Sequence, residues 1–142
     1  MLWRLLLLAC VACGSASPQP CTACLAVAGG YTETAQSNQV SCDNLQLFFN
    51  GGSQPLTLTQ SGSALTLTGG FSGVLHEDGS AIFGPIPATA QSADGTSPPT
   101  PGKLRLAGFF FEQSGALRFE GSYTFIADSS GCQLDARTVF RR

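Results

Sequence analysis

The residues of this 142-residue chain best suited to chemistry are its six cysteines, Cys10, Cys13, Cys21, Cys24, Cys42 and Cys132. The first four form two Cys-x-x-Cys pairs, a spacing shared by zinc knuckles and thiol–disulfide centres. A zinc ribbon sets its knuckles about a dozen or more residues apart, so that two turns can face one ion. Only seven residues, Pro18 and Pro20 among them, separate Cys13 from Cys21, and the first pair begins inside the apolar run 5–12, "LLLLACVA", and ends directly after it. No metal site and no cofactor are expected. A redox centre needs a strand before the pair and a helix after it, whose N-terminus lowers the thiolate pKa. Cys21-Thr22-Ala23-Cys24 follows "SPQP" and precedes "LAVAGGYTET", which has no helical pattern. Thiol exchange through Cys21 and Cys24 therefore stands only as the alternative to structural pairing.

Other chemistry is sparse. His76 is the sole histidine, in "VLHEDGS", where strand alternation puts Val74 and His76 on one face and Leu75 and Glu77 on the other. A serine nucleophile would need a strand-to-helix elbow, and no G-x-S-x-G occurs. Glu77-Asp78 is the only adjacent acidic pair, and in a strand its carboxylates diverge. Glu112 and Glu120 could approach each other across Ser114-Gly115. A hydrolase using His76 and Glu77 is the enzymatic alternative; the expectation is a protein without catalytic activity. Nucleic acid is excluded as a partner. Charged residues make up 11% of the chain, and no Lys or Arg occurs between Arg4 and Lys103, so there is no basic stripe to neutralise phosphates. The later basic residues alternate mostly with apolar ones, as on the solvated face of strands.

The opening residues carry an address. "MLWR" supplies one positive charge, "LLLLACVA" an apolar run of signal-peptide length, and "GSASPQP" a flexible tether. The run is too short to cross a bilayer as a helix, which takes about 20 residues. The arrangement resembles a bacterial lipoprotein leader, in which a Leu, two small residues and a Cys form a lipobox whose Cys is acylated. Leu7-Leu8-Ala9-Cys10 has the expected Leu but leaves a very short apolar run. Cys10-Val11-Ala12-Cys13 has an atypical Cys in its place but a full run, and cutting there leaves an even set of cysteines beyond the anchor. Lipidation is expected at Cys13, with Cys10 as the alternative. Residues 1–12 then form the signal peptide, 13–27 a tether and Cys-rich segment, and 28–142 the folded domain. This places the chain in the cell envelope, held to the membrane by lipid; ordinary secretion with cleavage at Gly14-Ser15-Ala16, giving a soluble secreted or periplasmic protein, is the other possibility.

In an oxidising compartment structural disulfides are the natural use of the remaining thiols. A Cys42–Cys132 bond would close a loop of about ninety residues, stabilising by nearly ~5 kcal/mol in the chain-entropy model. Cys21 and Cys24 pair with each other or, in a different connectivity, with Cys42 and Cys132 separately.

The domain reads as strands. "PLTLTQ" and "ALTLTG" alternate Leu and Thr on either side of Ser61-Gly62-Ser63. "FSGVLHE" meets "SAIFG" across Asp78-Gly79, and "KLRLAGFFFEQ" meets "ALRFEGSYTFIAD" across Ser114-Gly115. Leu117, Phe119, Gly121, Tyr123 and Phe125 share one face of the last of these. "CQLDARTVFR" is a final strand, and "GGYTETAQ" and "NLQLFF" are two earlier ones. Ala88–Gly102, rich in Pro, Ser, Thr and Gly, is expected as a mobile surface loop. The fold class is all-β, an antiparallel up-and-down meander of about seven to nine strands. Closure into a barrel is preferred over a two-sheet sandwich because it removes the sheet edges. The run "TLTQSGSALTLTGGFSG" resembles repeats in avidin-like and lipocalin-like meanders, which implies an up-and-down barrel. The chain departs from those families in lacking the early lipocalin Trp and a Trp-lined pocket, its single Trp being Trp3 of the leader.

Phe109, Phe110 and Phe111 put rings on both faces of one strand. Either the outer face is covered by another segment or it is a patch for an apolar ligand, lipid or envelope protein; Phe48-Phe49 poses the same choice. The function expected is that of a non-catalytic binding or structural module.

Overall fold

Leu56 and Leu58 of one strand and Leu65 and Leu67 of the next are all buried while the threonines between them face solvent, as a half-buried sheet requires. The computed structural model describes residues 17–38, 42, 45–47, 52–92 and 94–142. The expected signal peptide 1–12, both lipidation candidates Cys10 and Cys13, and Phe48-Phe49 lie outside the described residues. Among the described residues nine strands follow in order: β1 (Gly29–Asn38), β2 (Leu45–Gln46), β3 (Ser53–Ser61), β4 (Ala64–Leu67), β5 (Phe71–Leu75), β6 (Ser80–Ser92), β7 (Thr100–Gln113), β8 (Ala116–Ala127) and β9 (Gln133–Arg141). All pair antiparallel, in the order β2-β6-β5-β4-β3-β1-β9-β8-β7, and β6 also pairs with β7. The sheet thus closes on itself: eight strands form an up-and-down barrel, and β2 is an extra strand at one rim.

The hairpins turn where the sequence predicts. At Asp78-Gly79 the Asp78 carboxylate accepts the Ser80 N–H at 2.9 Å. At the β7–β8 tip both Ser114 and Gly115 have positive φ, 54° and 77°, the geometry of a type I′ turn.

One expectation is corrected. The stretch Ala88–Gly102 is not a loop throughout: Ala88–Ser92 continue β6, Thr100–Gly102 begin β7, and the two pair from Ala88↔Gly102 to Ala90↔Thr100. Its inward positions are small, Ala90 and Ser92 being buried, so it shows no apolar alternation although it is sheet. The phase of β6 also changes. Ala81 and Phe83 point inward, then the register shifts between Phe83 and Ile86, and Ile86, Ala88, Ala90 and Ser92 follow on the inner side. Gly84 sits at this bulge with φ of 80°; a Cβ there would lie 2.8 Å from the Leu104 carbonyl oxygen, which only glycine avoids.

The barrel is taller on one side. β5 starts at Phe71, so β6 beyond the bulge has no β5 neighbour; β2 fills part of that place, Leu45 opposite Ser92 and Gln46 opposite Gln91. Pro85 and Pro87 remove N–H donors from the same stretch, which suits an edge. A small core of Cys42, Ala90, Phe125, Ala127 and Leu134 lies under this rim, and the Cys42–Cys132 disulfide ties the β1–β3 connection to the start of β9.

Candidate functional site

The interior of the barrel is the first place to look for a ligand, and aromatic rings fill it. Phe119 stacks on Phe140 at 4.7 Å and lies 4.8 Å from Phe110 and 6.5 Å from Phe83. Tyr31 and Phe71 extend the cluster on either side. Glycines admit these rings: Gly108 and Gly121 face each other across β7 and β8, and a Cβ on Gly121 would sit 2.7 Å from the Phe119 ring. Bare backbone under an aromatic ring permits both the close approach and the coiling of a small barrel.

Residues 20–28 close one end. Val27 is fully buried; its N–H donates to Gln60 Oε1 at 2.8 Å, and its carbonyl accepts the Tyr31 hydroxyl at 2.5 Å. Gln60 Nε2 donates to the Leu25 carbonyl at 2.9 Å, and Arg142 reaches the Ala28 carbonyl. The Cys21–Cys24 bond folds this strap into a tight loop, with Cys21 buried in the core. Both disulfides therefore join the pairs Cys21–Cys24 and Cys42–Cys132, which resolves the connectivity left open above.

The strap also brings together the groups of the enzymatic alternative. Pro20 bridges to His76, the Cys21 N–H donates to the Leu75 carbonyl, and Thr22 Oγ1 donates to Glu77 Oε1 at 3.4 Å. His76 is engaged elsewhere, however: its Nδ1 lies 3.1 Å from Ser80 Oγ and 3.2 Å from the Ser80 carbonyl oxygen. Glu112 and Glu120 do not converge on a cleft. Glu120 bridges Arg118 at 2.8 Å and Arg137 at 3.8 Å on the outer wall.

A carboxylate that the sequence reading passed over lies inside. Glu33 is 3% exposed. Its Oε1 accepts the hydroxyls of Tyr123 and Thr138, each at 2.8 Å, and its Oε2 accepts Gln54 Nε2 at 2.7 Å. Three donors satisfy a group whose unpaired burial would be costly. Burial and the neighbouring Glu33 charge both push the Tyr123 phenol far above its usual range. The signal was present: Tyr31 and Glu33 occupy one phase of β1, so alternation alone puts the carboxylate on the apolar face.

The Phe triplet splits. Phe110 is buried in the core, Phe109 is 55% exposed on the outer wall, and Phe111 is half-buried beside it. The outer row of β7 runs Lys103, Arg105, Ala107, Phe109, Phe111. Next to its first three members is a groove of about 370 Å³ lined by Pro85, Lys103, Arg105, Ala107, Thr124 and Ile126. The groove exists because the bulge in β6 carries Pro85 alongside β7, while Ala107 and Thr124 leave the wall low. Ile126 is 45% exposed. Among the described residues Lys103 and Arg105 make no ion pair, unlike Arg118 and Arg137, which share Glu120. Asp135, the nearest acid on β9 in register, accepts instead from Thr124 and Gln133. This wall is able to hold a partner that is both apolar and anionic. No protein-family model, curated protein or solved structure matches the chain.

Proposed function

We propose that the chain is an exported, N-terminally acylated envelope protein whose barrel is a non-catalytic binding module acting through its outer wall. The observation that carries this reading is the ring-filled interior with a strap drawn across one end. Side chains commonly fill small barrels, and a core of packed rings favours recognition at the outer surface. There, the β7–β8 wall combines exposed Phe109 and Ile126 with Lys103 and Arg105, which have no ion-pair partner among the described residues. The two disulfides, Cys21–Cys24 in the strap and Cys42–Cys132 across the rim, fit an oxidising compartment. The address is tested by labelling with palmitate: the label enters the protein and is lost when Cys10 and Cys13 are both serine. Retention of the label in that variant, or its absence from the parent, refutes the anchor.

A second reading, thiol–disulfide exchange, has one observation in its favour, the placing of Cys21–Cys24 beside His76 and Glu77. An insulin-reduction assay decides it. Turnover that disappears in Cys24→Ser would establish exchange; no turnover above the uncatalysed rate leaves the disulfide as a clamp on the strap.

A further inference from the structure

We propose that the β7 wall is a membrane-contacting surface, with Lys103 and Arg105 engaging the acidic headgroups of an anionic bilayer and Phe109 and Ile126 entering its interface. The proposal deepens the binding-module reading, and rests on it for the idea that the outer wall is where the protein acts.

Charge is unevenly distributed along the chain. Six of its seven basic residues and only four of its nine acids fall in residues 103–142, the segment that builds β7, β8 and β9. Of the exposed acids, Glu77, Asp78 and Asp94 belong to the turns on either side of β6, whereas Glu112 lies near the end of β7 and Asp128 just after β8. Within the basic segment, Arg118 and Arg137 share Glu120, Arg142 lies over the Tyr31 ring and Arg141 stands at the end of β9, so Lys103 and Arg105 are the two cations on the β7 face without an ion-pair partner among the described residues. A cation beside an exposed apolar side chain is the arrangement by which peripheral proteins hold anionic lipid: the head pairs with phosphate while the apolar group enters the acyl boundary.

Spacing favours a bilayer over a small dissolved ligand. Lys103 and Phe109 are six residues apart on one strand face, about 20 Å at the rise of a β-strand. Ile126 lies opposite Lys103 and Phe109 opposite Glu120, so the two apolar points mark opposite ends of the wall. A molecule that fills the 370 Å³ groove reaches Ile126 but does not reach Phe109. A barrel laid against a plane touches it along one such row.

The test uses the chain with Cys10→Ser and Cys13→Ser, which carries no acyl group, in co-sedimentation with phosphatidylcholine vesicles with and without about 30% phosphatidylglycerol. Binding is expected only to the anionic vesicles. Each cation near such a surface contributes roughly a factor of five to partitioning, so Lys103→Gln/Arg105→Gln lowers it about 25-fold. Phe109→Ser and Ile126→Ser each weaken it, whereas Glu77→Gln, on the strap side, leaves it unchanged. If a variant fails to fold by circular dichroism, salt serves in its place: about 0.5 M NaCl, which shortens the screening length to about half its value at 0.1–0.15 M, releases the unsubstituted chain. Equal binding to neutral and anionic vesicles, or full binding by the double variant, overturns the proposal. Vesicle binding absent while monomeric decyl phosphate saturates the groove also overturns it, and reassigns the groove to a soluble amphiphile. Palmitate labelling is independent of all these results, so the anchor and the surface fail separately.

Discussion

Raising the pH above 10 tests the buried Glu33 network. Tyr123 donates to Glu33 inside the barrel, and its phenol is held well above the ordinary value of 10.0 by burial and by the carboxylate charge. Tyr31 is raised as well, by burial, with Arg142 opposing. A raised folded-state value means that stability is intact below the unfolded pKa of about 10 and declines as pH rises beyond it, because the unfolded chain releases a proton that the native protein keeps. The slope is about 1.4 kcal/mol per pH unit for each tyrosine so held. Tyr123→Phe removes one such slope and also a hydrogen bond to a charged acceptor, costing about 2 kcal/mol at neutral pH. The two stabilities should therefore converge above pH 10 and cross near pH ~11.5. Urea unfolding between neutral pH and about pH 12, with phenolate absorbance recorded on the folded protein, measures both effects. Tyr31 and Tyr123 are the only tyrosines, so the absorbance has two sources. A constant gap between parent and variant across this range, or ionisation of both phenols near pH 10 with the fold intact, would show that Tyr123 is not buried against a carboxylate.

Four further outcomes follow from the packing. Replacing Cys42 and Cys132 by Ala, which opens a loop of sequence separation 90, should lower Tm by roughly 15–20 °C, from ~4.6 kcal/mol of chain entropy at ~4 °C per kcal/mol. The Cys21–Cys24 pair, at a separation of 3, should cost less than half as much in the same thermal scan, since its loop term is only ~2 kcal/mol. Gly108→Ala, which drives a methyl into the Glu120 carbonyl and the Phe119 ring, should destabilise by about 1–3 kcal/mol, while Gly30→Ala, with open space around it, should change stability by a few tenths. Phe110→Ala should cost about 3–5 kcal/mol and Phe109→Ser about 0.5 or less in urea unfolding, separating two adjacent rings by face.

The architecture was legible because most strands alternate between one apolar and one polar face. Leu117 to Phe125 and Leu56 to Leu67 specify which side is inward, and Asp78-Gly79 and Ser114-Gly115 specify the turns. Where alternation lost its contrast, so did the reading. The tail of β6 buries alanine and serine rather than large side chains, and its prolines and serines read as loop. Glu33 was visible by phase but not by residue type, since nothing local to β1 shows that Tyr123 and Thr138, 90 and 105 residues further on, would supply its donors. The groove was not legible at all. It depends on a register shift after Phe83 and on β6 pairing with β7 beyond it, and periodicity within a single strand carries neither.

The same bulge links the fold to the surface argued for above. If β6 kept its phase past Phe83, Ile86 and Ala88 would face outward, and Pro85 and Pro87 would be pushed into a core with no room for them. The shift places small residues inside, where the rim cluster with Phe125 and Leu134 needs them, and puts the two prolines on the outer wall. There they deny the exposed edge of β6 to another strand, and Pro85 joins Ala107 and Ile126 around Lys103 and Arg105. A barrel that protects its tall edge in this way makes an apolar, cationic wall as a consequence, provided that β7 presents its cations outward. Its alternation, with Gly102, Leu106 and Phe110 buried on the inner face and Leu104 and Gly108 between them, ensures that it does.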